Sequence, residues 1–333
     1  MGKPSGFRAL NHPITSAEGM VAHIPDMVGL KPEECLVTAV TRQNMVMVTS
    51  RVDLDDIFGD RHYLPSLLDR IQKRFPGATL FNVAVSANPE LPPAVAALIQ
   101  EAFSGQSRNL TLGGFAQAAN SSFDGCGKPS RAELAKQFAP PSEEQRETCA
   151  DLMRAARRRI DLVDRGQWPE RAQDLITEDL QLSDADLAEL VILMGSRPCK
   201  EHLLVRLHTG NAEEYQYQIL RALEITPQPM RENVLTMLAF ASWTNSGGPI
   251  TSMAIQALRD EFPGAAELPL LQQLIKEITP PSEWDDVKRM EVWFADETKT
   301  VSKFDQIPER HNTTNPPQQE ELPQAPAPKG PAI

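Results

Sequence analysis

Near Ser130 the hydrophobic rhythm of the chain changes, and that change constrains what it can fold into. Before it, short β-rich apolar runs are interspersed with helix-period segments; after it, helix-period segments follow one another and convincing strands disappear. Alternation every second residue suits a strand, whereas recurrence every three or four residues suits a helix with one buried stripe. The expectation is an α+β or α/β chain: a small mixed sheet with packed helices, then an all-helical part. A chain of 333 residues is long enough for two domains. The expected boundaries are 15–129 for the α/β domain, 130–284 for the helical domain, and 285–333 for an extension and tail.

In the first half, "TSAEGMVAHIPDMVGL" reads as a helix capped by Thr15 or Ser16, with Pro25 as a kink or stop. "CLVTAV" and "MVMVTSRV", separated by "TRQN", read as a hairpin. The unbroken apolarity from Met45 to Val48 suggests a strand buried on both faces. After the acidic loop "DLDDIFGD", Leu64, Leu67, Leu68, Ile71 and Phe75 form one helical stripe. "ATLFNVAVS" is a strand, "LPPAVAALIQEAF" a helix with its prolines in the first turn, and "NLTLGGF" a further short strand.

In the second half, Ser142 with Gln145 forms a capping box, and Ser183 caps a helix that Gly195 stops. "AEEYQYQILRALEI", "RENVLTMLAFASW", "ITSMAIQALRDEF" and "AAELPLLQQLIKEI" continue the series. "SMAIQALRDEFPGAAEL" resembles the second helix of a tetratricopeptide repeat, so tetratricopeptide-like helical hairpins are expected, although no clean repeat period runs through the chain. The final 26 residues hold seven prolines among Gln, Asn and Glu. That composition buries too little apolar surface to offset chain entropy, so a disordered, proline-rich tail is expected.

The net charge of −12 argues against a surface that coats nucleic acid. Four dispersed cysteines with no C-x-x-C pair point to free thiols in a reducing cytoplasm. No stretch is apolar enough to span a bilayer, and the N-terminal residues lack a signal-like apolar core. A cytoplasmic protein without a membrane segment is expected.

Two blocks carry a family pattern: "HIPDMVGLKPEECLVTAV" followed by "SRVDL", and "LAFASWTNSGGPITSMAIQALRDEFPGAAELPLLQQLIKEITPPSEW". With the short "PSRAELAKQF" between them, they resemble an uncharacterised actinobacterial family, domain of unknown function 4192, which also occurs in phages. The resemblance spans roughly Ser16 to Trp284. The family-motif positions it implies are Gly29, Pro32, Arg51, Asp53 and Trp243. It implies no activity, and the tryptophan-rich hairpin of many relatives is not evident around "LTLGGFAQAANSSFDGCGK".

Several candidate sites have a plainer reading beside the chemical one. Cys35 follows a Gly29–Pro32 corner; it reads either as a nucleophile lacking a histidine partner or as the start of a buried strand. Asp53, Asp55, Asp56, Asp60 and His62 gather oxygen ligands, but Gly59 and Leu64 stand in the wrong places for a calcium loop. The arginines of "RAARRRIDLVDR" suit a solvated helix end better than a nucleic-acid patch. Trp243 reads as a packing residue under the next helix or as the wall of a groove. Phosphate-loop, H-E-x-x-H, G-x-S-x-G and G-x-G-x-x-G patterns are absent. No catalytic residue, metal or cofactor is expected. A non-enzymatic protein-binding or adaptor module with an unidentified protein partner is the leading expectation. The alternative is an enzyme or small-ligand sensor with an inter-domain pocket lined by the strand ends from Arg51 to Asp60.

Overall fold

The hairpin is fixed by its turn. In the computed structural model, strands β1 (Cys35–Arg42) and β2 (Met45–Asp53) are antiparallel, and the two residues joining them, Gln43 and Asn44, have φ of 53° and 64°. Positive φ at both central residues is the two-residue turn whose twist matches that of the strands. β3 (Thr79–Val85) lies antiparallel to β1, and β4 (Thr111–Ala118) runs parallel to β3, giving a mixed sheet of order β2-β1-β3-β4. Residues 13–104, 109–177, 182–245, 248–279 and 281–283 are described by the structure. The expected proline-rich tail lies outside them.

Helices cover both faces of the sheet. α1 (Ala17–Val21) and α2 (Ile24–Val28) replace the single expected helix, because the chain breaks at His23 just ahead of Pro25. The Ser16 hydroxyl accepts from Gly19 N at 3.0 Å and caps α1. Against β4 this layer sits close: a Cβ on Gly114 would lie 3.4 Å from Ala17 Cβ. The expected acidic loop is instead a short helix, α3 (Leu54–Gly59), which buries Leu54 and Ile57. On the other face, α4 (Tyr63–Arg74) and α5 (Leu91–Ser104) bury Leu64, Leu67, Leu68, Ile71, Val95 and Ile99 against Leu36, Val40, Leu80 and Ala84.

Burial on both faces belongs to β1, not to the strand for which unbroken apolarity suggested it. Cys35 through Thr41 are all buried, whereas Met45 is 47% and Met47 41% exposed. The order explains the correction: β1 is flanked by β2 and β3, while β2 is an edge. In β4, Gly113 is the extra residue where the register slips between Leu80 and Phe81. A Cβ there would stand 2.6 Å from the Phe81 ring, so the bulge requires glycine.

Beyond β4 the described chain is helical: α6 (Arg131–Gln137), α7 (Glu143–Ile160), α8 (Trp168–Thr177), α9 (Asp184–Met194), α10 (Arg197–Arg206), α11 (Ala212–Glu224), α12 (Arg231–Thr244), α13 (Gly248–Glu261) and α14 (Leu268–Lys276). Ser142 N donates to Gln145 Oε1 at 3.1 Å, and Asp186 N donates to Ser183 Oγ at 3.2 Å, as capping boxes require. Gly195 ends α9 with φ −70°, so it stops the helix without the left-handed conformation. α12 is buried from Val234 to Thr244 and packs against α11 and α13. A helix apolar all round belongs in a core. The described residues fall within one compact unit ending at Ala295. Among them, no helix is long and apolar enough to cross a membrane.

Candidate functional site

The Gly29–Pro32 corner is built for bending. Gly29 closes α2 with φ 75°, its N–H donating to the Pro25 carbonyl at 2.9 Å, and Pro32 is buried. Glu34 also has a left-handed φ, 42°, unusual for a residue with a side chain. Its carboxylate offsets that strain by accepting from Ser86 Oγ at 2.7 Å, Ala87 N at 2.7 Å and Asn120 Nδ2 at 2.9 Å. It thereby ties the start of β1 to the ends of β3 and β4. Cys35 is fully buried, and burial pushes its thiol up to about 11, with the nearby Arg51 charge opposing only part of the rise. An enclosed thiol held protonated by burial matches the reading of Cys35 as the start of a buried strand.

Burial raises the Glu34 carboxyl, but the hydrogen bonds from Ala87, Ser86 and Asn120 outweigh it and hold the group below its ordinary value of 4.5. A depressed folded value stabilises the fold above the unfolded value, and that increment is lost as pH falls through the folded value. Glu34→Gln is therefore expected to lower stability by about 1 kcal/mol at neutral pH, a figure kept small because the side chain is largely exposed. The gap to wild type should close as the buffer is taken below about pH 4.5. Thermal melts of both proteins across that range check it; a gap that widens in acid contradicts the assignment.

A cleft of about 820 Å³ opens where the free edge of β2 meets α12, α13 and α14. Every residue of β2 lines it, with Met27 of α2 from one face of the sheet and Leu67 and Arg70 of α4 from the other. Trp243, Thr244 and Met253 form part of the opposite wall. Trp243 is buried, and its Nε1 donates to the Thr279 carbonyl at 3.3 Å, so it both packs and walls the cleft. Exposed Met45, Met47 and Ile275 give the lining an apolar part.

The charged part centres on Asp53. Arg51 Nη1 lies 2.8 Å from Asp53 Oδ1, and Arg131 pairs with Asp53 Oδ2. Arg51 Nη2 donates to the Glu33 carbonyl at 3.2 Å, but its buried Nε has no oxygen or nitrogen partner among the described residues. Two further buried atoms of the lining, Thr49 Oγ1 and Thr244 Oγ1, are also unpartnered there. Arg70 spends its donors on main-chain carbonyls, including Lys276 O at 3.2 Å. Across the charged lining residues, three guanidiniums face the two carboxylates of Asp53 and Asp56, a net positive charge on a chain whose total is −12. Burial raises the Tyr63 phenol, with Arg70 opposing it, so the hydroxyl stays neutral at ordinary pH.

The remaining candidates are occupied by their neighbours. Asp60 Oδ1 accepts from His62 N at 2.8 Å, and among the described residues no grouping of three His, Cys, Asp or Glu side chains is placed to hold a metal. Arg154 pairs with Asp151, Arg157 with Asp161 at 3.1 Å, and Arg159 with Glu189 at 3.5 Å. A second, more open depression of about 440 Å³ near Gln173 and His208 has polar groups bonded to each other: Tyr215 Oη donates to Gln173 Oε1, and His208 N to Asn211 Oδ1.

Of the five family-motif positions expected from sequence, the structure brings Arg51, Asp53 and Trp243 to the cleft lining, and Gly29 and Pro32 are not among its lining residues. Arg70, Arg131, Thr49 and Thr244 were not singled out. This is an α+β protein whose sheet edge faces a helical array across a lined cleft. A family model described as Domain of unknown function (DUF4192) matches residues 114–282, and the chain belongs to that family. Neither a curated protein nor a solved structure matches it. The matched segment contains Arg131, Trp243 and Thr244 and begins after Arg51 and Asp53.

Proposed function

We propose that the protein is a non-enzymatic binding module whose working surface is the cleft between β2 and α12–α14. The observation that carries this reading is the lining of the cleft: exposed Met45, Met47 and Ile275 beside Arg51, Arg70 and Arg131, with Thr49 Oγ1, Arg51 Nε and Thr244 Oγ1 buried and without an oxygen or nitrogen partner among the described residues. A buried donor or acceptor left unmade costs about 1–3 kcal/mol, so a shift of these side chains onto an occupant would favour its binding. The volume falls within the range of ordinary ligand sites, and an apolar body with few polar groups is their usual lining. Asp53 is held in ion pairs with Arg51 and Arg131, and burial pushes the Tyr63 phenol up, which favours binding over acid–base chemistry. The division into an α/β module (15–129) and a helical module (130–284), the repeat-like hairpins, the adaptor role and the cytoplasmic setting belong to this same proposal.

Anilinonaphthalene sulfonate, an apolar body with one anionic group, matches the lining and tests the reading. The full chain is expected to bind one equivalent with a rise in fluorescence. Ser252→Trp places a bulky ring at an exposed position of α13 in the cleft wall and is expected to abolish the signal without lowering the melting temperature. Probe binding that the plugged variant retains would move the site elsewhere.

A further inference from the structure

We propose that the occupant of the cleft is an extended peptide segment that adds as a further strand along the free edge of β2, with an acidic side chain near Arg51 and Arg70. The inference rests on the cleft reading and narrows it to one kind of partner.

The first ground is main-chain chemistry. In an antiparallel pair, alternate residues of each strand turn their N–H and C=O groups away from the partner. β2 pairs with β1 alone, and among the described residues no main-chain hydrogen bond reaches its other edge. All nine of its residues nevertheless line the cleft, from Met45 to Asp53. The cleft thus follows a row of donors and acceptors that no other main chain bonds among the described residues, which is what strand addition consumes.

The second ground is shape. Nine strand residues at about 3.3 Å each run for about 30 Å. A volume of about 820 Å³ spread over that length leaves a mean width of about 5 Å. Neighbouring strands in a sheet are about 4.8 Å apart, so the space suits one extended chain better than a compact molecule. The cleft also takes in residues from both faces of the sheet, Met27 from α2 and Leu67 from α4, as an edge position requires.

The third ground is the side-chain lining. At the Asp53 end the net charge is positive, and Arg51 Nε has no oxygen or nitrogen partner among the described residues. A carboxylate complements both. Toward the other end, Met45 and Met47 are exposed. Methionine side chains repack around different apolar groups, so this end tolerates varied sequences while the main chain supplies register.

The test uses the full chain and a pool of acetylated, amidated octapeptides in which valine or threonine alternates with variable residues and one glutamate lies near an end. The tightest binder is measured by calorimetry and then scanned by methylating one backbone nitrogen at a time. Strand addition predicts losses of about tenfold or more at every second nitrogen and little change at those between, because only alternate donors face β2. Replacing the glutamate with glutamine should weaken binding by about tenfold at low salt, and less at high salt. Amide exchange should slow on binding at about every second residue of β2. A methylation profile without alternation, or a pool with no binder while anilinonaphthalene sulfonate still binds and Ser252→Trp blocks it, would overturn strand addition and leave the cleft reading standing. Failure of both probe and pool would remove the cleft reading itself.

Discussion

Arg231→Ala is expected to cost roughly 3–4 kcal/mol of stability, more than any other single charge removal in the helical half. Arg231 is fully buried at the first position of α12, where the helix dipole disfavours a cation. What holds it there is geometry. Nε and Nη2 reach the two Glu261 oxygens at 2.8 and 3.1 Å, and Nη2 also donates to the Phe138 carbonyl at 2.7 Å. One side chain therefore joins the start of α12, the end of α13 and the end of α6. Its Nη1 is buried without a partner among the described residues, so the site is already costly, and removing the cation strands Glu261 as well. Glu261 keeps some solvent, with about a fifth of its side chain exposed, which places the loss at the lower end of the range for broken buried pairs. For a protein of this size the melting temperature should fall by roughly 5–7 °C, and the urea midpoint should fall with it. Arg231→Met with Glu261→Gln should recover about half of the loss, because no charge is then left unpaired. A double variant no more stable than the single one would show that packing, and not the ion pair, sets the cost.

The same residue illustrates what the sequence could and could not reveal. Periodicity placed many of the helices, because burial of a stripe is a local property: Leu64 to Ile71 in α4 and Cys149 to Ile160 in α7 are legible from spacing alone. An arginine at the start of an apolar helix was a legible anomaly, yet its partner lies 30 residues away. The cleft suffers more from this. Arg131 meets Asp53 across 78 residues, and Arg70 meets Lys276 across 206, so no window along the chain holds both sides. Arg51, Asp53 and Trp243 were visible as candidates because they stand out locally, at a strand end and a helix end. The burial of β2 was misjudged for a related reason. "MVMV" is apolar on both faces whether it is covered by protein or lines a cleft, and only the strand order separates the two. The six-residue α3 escaped notice because "DLDDIFGD" has too few apolar positions to show a period.

Opposite shifts are expected from the two charges at the centre of the cleft. Arg51→Met should weaken anilinonaphthalene sulfonate binding by roughly 30-fold, the loss of a charge-assisted hydrogen bond of about 2 kcal/mol. Asp53→Asn should strengthen it by about tenfold at low ionic strength, since Asp53 now neutralises both Arg51 and Arg131. The two effects differ in salt dependence as well as sign. Arg131 is largely exposed, so its release should matter less as salt rises, whereas Arg51 is mostly buried and its contribution should persist. A purely structural role for the pair predicts something else: both variants would loosen the end of β2 and both would weaken binding. Titrating the two variants and wild type at low and high salt, with melts to confirm folding, separates these cases. The same logic reaches the peptide. If an acidic side chain seats beside Arg51, then Asp53 competes for its place, and Asp53→Asn should favour the glutamate peptide over its glutamine counterpart by a larger factor than wild type does. An unchanged preference would mean that the peptide's acid sits elsewhere along the strand.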